Sequence, residues 1–299
     1  MRIVYFGTPP DAVPPLEALV STGHDIAFVV TQPDRRRSRG AGSDPSPVKA
    51  AALELGLEVK TPERAKEIID DVANAHAALG VVVAFGQLLP VGLLEATTHG
   101  FVNVHFSLLP RWRGAAPVER AILAGDAETG VCLMGVEAGL DTGPVYACES
   151  VAIGADETAG ELRDRLVASG TRLLVEQIDA IPEMVPTPQE GDATYAEKLT
   201  VDEFKLDPAL PAAHLARIVR AGNPRPGAWG VFGGKRVKVC RAHPELDADV
   251  AIATVDEHGR LGTSAGALVF DEVQPEGKRP MRGADWRRGL RGDVLIAYP

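Results

Sequence analysis

The chain has 299 residues, 45% of them apolar and 24% charged, with a net charge of -10. That length exceeds one ordinary domain and allows a core that needs no staple, while the acidic balance excludes a protein that coats nucleic acid indiscriminately. Three cysteines, Cys132, Cys148 and Cys240, share no close spacing; they spell neither a disulfide framework nor a zinc site, and they fit a reducing, cytoplasmic setting.

The opening residues do not read as a signal peptide, since Asp11 and its neighbouring prolines interrupt any apolar stretch. Residues 2–7 are instead a short apolar strand ending in Gly7, and a helical pattern then places Val13, Leu16, Leu19 and Val20 on one face. Ile26–Thr31 is a second strand. A polar loop from Gln32 to Pro47 follows, then a helix over Lys49–Leu55 and a short strand over Gly56–Val59. Residues 77–94 carry no charge, but Gln87, Pro90 and three glycines interrupt them, so a buried strand over Gly80–Phe85 and a loop fit better than a membrane span. Strands alternating with helices point to βαβ units and a mostly parallel sheet.

From Ala180 to Leu210 prolines punctuate the chain and periodicity fades, as at a domain boundary. Beyond it come a helix over Ala212–Arg220 and short strands over 228–232, 236–240, 250–254 and 267–270, separated by turns, which suits a small β-barrel. Charge follows the same division: residues 1–199 hold 16 Lys and Arg against 28 Asp and Glu, and residues 200–299 hold 15 against 13. Basic side chains cluster at 35–39, 235–241 and 282–291, a pattern shared by solvated surface and by a polyanion site.

The chemistry that is missing narrows the field. No GxGxxG follows the first strand, and there is no P-loop, no HExxH and no GxSxG elbow. The remaining candidate is the run from Gly100 to Pro110. Strand alternation puts Asn103 and His105 on one face and Val102, Val104 and Phe106 on the other. An amide that donates to an oxyanion, beside an imidazole that moves a proton, suits catalysis at a strand's C-terminal end; a pair capping backbone groups fits equally well. Asp141, in the loop Leu140-Asp141-Thr142-Gly143, is either the carboxylate that orients this histidine or an Asx turn.

Taken together, Asn103-Val104-His105 with Ser107-Leu108-Leu109-Pro110, Arg113-Gly114-Ala115-Ala116-Pro117 and Gly139-Leu140-Asp141-Thr142-Gly143-Pro144 resemble the formyltetrahydrofolate-dependent formyltransferases. The opening residues 2–9, the loop from Thr31 to Lys49, the stretch Ala193-Thr194-Tyr195-Ala196-Glu197-Lys198-Leu199 and Arg220-Ala221-Gly222-Asn223-Pro224 resemble the tRNA-directed branch, so the likeness covers nearly the whole chain. It implies a Rossmann-like, mostly parallel α/β domain followed by a smaller OB-like β-barrel. The implied boundaries are a catalytic domain over 1–185, a linker over 186–206 and a tRNA-binding barrel over 207–299.

It also implies transfer of the formyl group of 10-formyltetrahydrofolate to the methionyl amine of initiator Met-tRNA, for initiation of translation, by a cytoplasmic monomer that needs no metal and no membrane. Asn103, His105 and Asp141 would be catalytic. The folate would lie against Phe85, Gly86, Gln87 and Leu88 and against Ser107, Leu108, Leu109 and Pro110. Arg35, Arg36, Arg37 and Arg39 would meet the tRNA. The chain departs from the family where Ala41 and Gly42 stand in place of frequent lysines, where Arg225 replaces an aromatic residue, and where Phe85 stands for a frequent Tyr. Water or an amino sugar as acceptor, and a folate- or RNA-binding module without turnover, are the alternatives.

Overall fold

The computed structural model describes residues 1–34, 44–292 and 294–297. These group into two compact units, one of residues 1–117, 128–152 and 163–197 and the other of 118–127, 153–162 and 198–299.

The first unit is an α/β sheet. Its elements begin β1 (Arg2–Gly7), α1 (Val13–Ser21), β2 (Asp25–Val30), α2 (Pro47–Glu54), β3 (Val59–Lys60), α3 (Ile69–Asn74), β4 (Leu79–Val83), α4 (Val91–Leu94), β5 (Phe101–His105) and β6 (Arg113–Gly114). After α5 (Pro117–Ala124), which apart from Pro117 groups with the second unit, come β7 (Glu128–Gly135), β8 (Val145–Ala152), α6 (Ala159–Gln177) and β9 (Tyr195–Ala196). The order β3-β2-β1-β4-β5-β7-β8 is parallel up to β5 and antiparallel for β7 and β8. Every residue of β4 is buried, as the unbroken Val run requires of a strand covered on both faces. One side of the sheet closes over Phe6, Phe85 and Phe101, whose rings pack edge to face 5.2 and 5.5 Å from that of Phe6. At the entry to α2, the Ser46 hydroxyl accepts from the Lys49 amide and Pro47 occupies the first turn.

The cysteine pattern is corrected here. β7 and β8 pair antiparallel with Cys132 opposite Cys148, Cα atoms 4.1 Å apart, and the two are joined by a disulfide; Cys240 is free. Sixteen residues separate them in sequence, so only the hairpin register brings them together. That register was not legible because neither strand shows a clean two-residue alternation: β7 is buried along nearly its whole length.

The second unit holds α7 (Ala212–Gly222), β10 (Ala228–Phe232), β11 (Lys235–Glu245), β12 (Thr254–Val255), β13 (Arg260–Gly262), β14 (Ala267–Pro275), β15 (Met281–Arg282), α8 (Gly283–Arg288) and β16 (Val294–Leu295). Its antiparallel sheet runs β10-β11-β14-β13-β12-β16. The sheet curls until its ends meet: the Ala297 amide donates to the Val231 carbonyl at 2.7 Å, and the Gly233 amide to Leu295 at 3.2 Å. Phe232, Phe270 and Trp286 fill the interior with ring centroids 5.4 to 6.0 Å apart. The strand expected over 250–254 is absent. The Thr254 amide closes a turn onto the Ala251 carbonyl at 3.1 Å with Ala253 at a φ of 65°, so pairing begins only at Thr254. The start of α6 belongs to this unit and carries a capping box. Thr158 and Glu161 bond each other's backbone amides, at 2.9 Å to the Glu161 carboxylate and 3.3 Å to the Thr158 hydroxyl.

Among the described residues, no helix is long and apolar enough to cross a membrane.

Candidate active site

The alternation of β5 places Asn103 and His105 on one face, opposite Met134 and Cys132 of β7. Val104 faces the other way, against Gly170 of α6, where an added Cβ would lie 2.7 Å from its methyl. The Asn103 face opens on a cavity of about 470 Å³ lined by Asn103, His105 and Asp141 and, from the turn after β4, by Phe85, Gly86, Gln87 and Leu88. The cavity sits at the carboxyl ends of β4 and β5, where open α/β sheets take their ligands.

His105 is buried, its side chain 6% exposed, and Asp141 beside it is 18% exposed. The imidazole Nε2 lies 3.0 Å from the Trp112 carbonyl and Nδ1 lies 3.7 Å from Asp141 Oδ2. Both ring nitrogens therefore face acceptors: Nε2 lies at hydrogen-bond distance from the carbonyl, and Nδ1 faces the carboxylate at ion-pair distance. The same carboxylate oxygen accepts the Gly114 amide at 2.8 Å, which fixes its position. Asn103 differs, because among the described residues its amide makes no hydrogen bond, which leaves two donors for a ligand.

Backbone strain gathers around this cavity. Ala84, Trp112 and Asp141 hold φ values of 47°, 61° and 51°, each costing roughly 1–3 kcal/mol and kept only where its surroundings over-determine it. For Asp141 the surroundings are explicit. The loop from β7 to β8 is pinched at its neck by the Gly135 amide donating to the Pro144 carbonyl at 2.8 Å. Gly143 lies in that neck, where a Cβ would sit 1.9 Å from the Gly135 carbonyl oxygen, so no side chain fits. Gln189 then reaches in, with Nε2 donating to the carbonyls of Asp141 at 2.9 Å and Gly143 at 2.8 Å. Trp112 is held likewise, its amide donating to the Thr194 hydroxyl at 2.9 Å while β6 pairs in parallel with β9.

Gln189 and Thr194 are the site residues that sequence reasoning missed. Both lie in the proline-punctuated stretch that resembles a domain junction, and the structure bonds that stretch onto the loops carrying Trp112, Gly114 and Asp141. Nothing in the sequence singles them out: both are uncharged hydrogen-bonding residues whose partners lie 46 to 82 residues away.

On the opposite wall, Ala84 and Gly86, both at positive φ, make the turn that lifts the chain over the cavity. The Phe85 carbonyl accepts Gln32 Nε2 at 2.8 Å while its ring lies in the core. Gln87 lines the cavity, yet its amide is engaged with the backbone at Ala65 and Glu63. Leu88 is exposed at the mouth. Ser107, Leu108, Leu109 and Pro110 are not among the lining residues. Ser107 is fully buried and donates to the Arg111 carbonyl at 2.6 Å, and Leu108 packs over Gly130. Arg35, Arg36, Arg37 and Arg39, with Ala41 and Gly42, lie outside the described residues. Asp34, at the near end of that gap, pairs with Lys49 at 2.6 Å.

In the barrel, Lys235, Arg236 and Lys238 lie on β11, with the Arg236 guanidinium 4.0 Å from the Trp229 ring centroid.

Residues 1–178 match the formyl transferase family and residues 198–291 its C-terminal domain. The chain is 47% identical to the methionyl-tRNA formyltransferase of Dinoroseobacter shibae over 97% of its own length and 98% of that protein's. Among solved structures it is similar to an N-formyltransferase from Helicobacter canadensis in complex with folinic acid and dTDP-3-aminofucose. The TM-score is 0.68 at 17% identity, covering 91% of this chain and 98% of that one. HypX from Aquifex aeolicus in complex with tetrahydrofolic acid gives a TM-score of 0.67 at 17% identity, covering 96% of this chain and 46% of that one.

Proposed function

The chain belongs to the methionyl-tRNA formyltransferases, and from that premise we propose that it moves the formyl group of 10-formyltetrahydrofolate onto the methionyl amine of initiator tRNA, as a cytoplasmic monomer serving translation initiation. One observation carries this reading: the unengaged Asn103 amide and the buried His105–Asp141 pair open on the same cavity. The cavity volume falls within the range of small-molecule sites, and apolar walls with a few convergent polar groups suit a ring system bearing a formyl group. The turn at Phe85, Gly86, Gln87 and Leu88 would hold that donor.

The donor supplies an electrophilic formyl carbon on nitrogen. The amine nitrogen bonds to that carbon, the bond from carbon to the donor nitrogen breaks, and one proton passes from the amine to the departing nitrogen. Negative charge develops on the formyl oxygen, where the two Asn103 donors are free to meet it. His105 holds or moves the proton, and Asp141 across from Nδ1 stabilises the ring when it is charged. Arg35, Arg36, Arg37 and Arg39 would engage the acceptor end of the tRNA, and Arg236 and Lys238, which share one face of β11, would with Lys235 at the strand's start meet its backbone.

The test is formylation with 10-formyltetrahydrofolate and charged initiator Met-tRNA. Uncharged tRNA and a nucleotide-linked amino sugar serve as controls. Product confined to the charged tRNA is expected; transfer to the sugar, or free formate without tRNA, would overturn the acceptor.

A further inference from the structure

Gln189 stands outside the catalytic set, yet it is bonded to more of the site's framework than any catalytic residue is. Its amide is used at both ends. Oε1 accepts from Arg113 Nε at 3.0 Å and from a terminal guanidinium nitrogen of the same arginine at 2.6 Å, while Nε2 donates to the Asp141 and Gly143 carbonyls at 2.9 and 2.8 Å. We propose that Gln189 is a positioning residue for formyl transfer. It clamps the Asp141 loop so that the Asp141 carboxylate is presented to His105. The proposal rests on the catalytic reading of Asn103, His105 and Asp141 given above.

The chemistry of the clamp is specific to an amide. The loop turns through Asp141 at a φ of 51°, a conformation that a non-glycine residue keeps only when something outside it holds it. What reaches the loop there is a pair of carbonyl oxygens, which demand donors, and Gln189 supplies two N–H bonds from one nitrogen. Arg113 demands an acceptor, and the other end of the same group supplies one. A guanidinium on Oε1 also polarises the amide and strengthens its N–H donors. Arg113 directly precedes Gly114, whose amide donates to Asp141 Oδ2. Gln189 thus links both supports of Asp141: the loop that carries its backbone and the strand residue next to the one that holds its carboxylate. No residue between Asp141 and His105 is needed for the effect, because the 3.7 Å separation of those two groups is set by where the loop rests.

The isosteric variants separate this role from plain packing. Gln189→Met keeps the shape and loses every bond; Gln189→Glu keeps the acceptor for Arg113 and faces two carbonyls with a carboxylate. If the clamp positions Asp141, both lose kcat, Gln189→Glu the more, while KM for the tRNA stays within about twofold. A misplacement of about 1 Å at a catalytic group costs on the order of 100-fold, and a loss of 10- to 100-fold in kcat is expected. Hydrogen exchange at the Gly114 amide gives a readout that needs no acceptor: it should accelerate in both variants while exchange across β1 and β4 is unchanged.

Gln189→Glu with wild-type kcat and unchanged Gly114 exchange would overturn the proposal, because anchoring Arg113 would then be the whole role. A kcat loss that tracks global exchange and Tm would overturn it as well. If the wild-type protein formylates no Met-tRNA, the functional reading fails, while Gly114 exchange still decides whether the clamp holds Asp141.

Discussion

Three histidine–aspartate pairs lie within 4 Å among the described residues, and the tightest is not the candidate catalytic pair. On the barrel, His243 Nδ1 lies 2.9 and 3.0 Å from the two Asp271 oxygens, with side chains 49% and 45% exposed. In the cavity, His105 and Asp141 are 3.7 Å apart, 6% and 18% exposed. Short distance marks an ordinary surface ion pair, screened by water and worth about 0.2–1 kcal/mol. What sets the His105 pair apart is its surroundings: burial that strengthens every field, a Trp112 carbonyl on the second ring nitrogen, a Gly114 amide on the carboxylate, and Asn103 beside it with free donors. Proximity alone would rank the two pairs in the wrong order.

Parallel substitution is the strongest attempt to break that contrast. His105→Ala and Asn103→Ala are each expected to lower kcat for formyl transfer by about 100- to 1000-fold, the usual scale for losing a proton-transfer or oxyanion group. Asp141→Asn should follow in the same direction, since the carboxylate that faces Nδ1 becomes neutral. His243→Ala and Asp271→Asn should leave kcat within about twofold. Steady-state kinetics on the five variants decides it, and a catalytic loss in the barrel pair comparable to that in the cavity would sink the distinction.

The next lever is the loop neck. Gly143→Ala forces a methyl toward the Gly135 carbonyl, 1.9 Å from an ideal Cβ, and both partners are backbone, so the loop must move. Overpacking of this kind costs about 1–3 kcal/mol. Displacement of Asp141 should in addition reduce kcat by more than tenfold while Asp271 on the barrel is untouched. Denaturant melts beside kinetics check both halves; full activity at lowered stability would mean that the neck supports the fold without setting the site.

The contrast between the two pairs also marks what was readable in advance. Asn103 and His105 are legible because a strand alternates side chains and both are polar in an apolar run. The first strands and their parallel sheet were accessible from apolar runs alternating with helices, though not their order, and the barrel from short strands with turns. Asp141 was reached through its motif, since nothing local ties it to His105, 36 residues upstream. Gln189 and Thr194 were not legible because their roles are long-range hydrogen bonds, and the Trp112 carbonyl, seven residues from His105, was not because a carbonyl has no sequence signature. The Cys132–Cys148 pairing escaped for the same reason, being fixed by the register of a hairpin whose strands lack alternation.

That disulfide sharpens the comparison from beside the site, because Cys132 lies opposite His105 in the β5–β7 ladder, on the same face of the sheet. Closing a loop of sixteen residues is worth up to about 3 kcal/mol by chain entropy. Reduction, or Cys148→Ser, should therefore lower Tm by several degrees. Because backbone pairing already sets the position of β7 beside β5, kcat should change far less than for Gly143→Ala. Melts and assays with and without a thiol reductant measure both, and an activity loss exceeding the stability loss would show that the bond reaches His105.

The smallest effect belongs to the second unit and tests the claim that its ion pairs hold structure only. Bonds from the Thr158 amide first, then from Arg241 and the Thr158 hydroxyl, hold the Glu161 carboxyl down to about 2 from its ordinary 4.5. A folded value below the unfolded one means that the contribution is present above about pH 4.5 and is lost as pH falls through that window toward 2. Both side chains of the Glu161–Arg241 pair are nearly half exposed, so solvent screening limits the effect to roughly 0.2–1 kcal/mol. Glu161→Gln keeps the acceptor of the capping box and removes the charge together with the oxygen that accepts from Arg241. The variant should thus be slightly less stable than wild type at pH 7, converge with it near pH 2, and retain full kcat. A stability gap that persists at low pH would assign the role to packing, and a loss of kcat would place catalytic weight where the exposed pairs of this unit are expected to carry none.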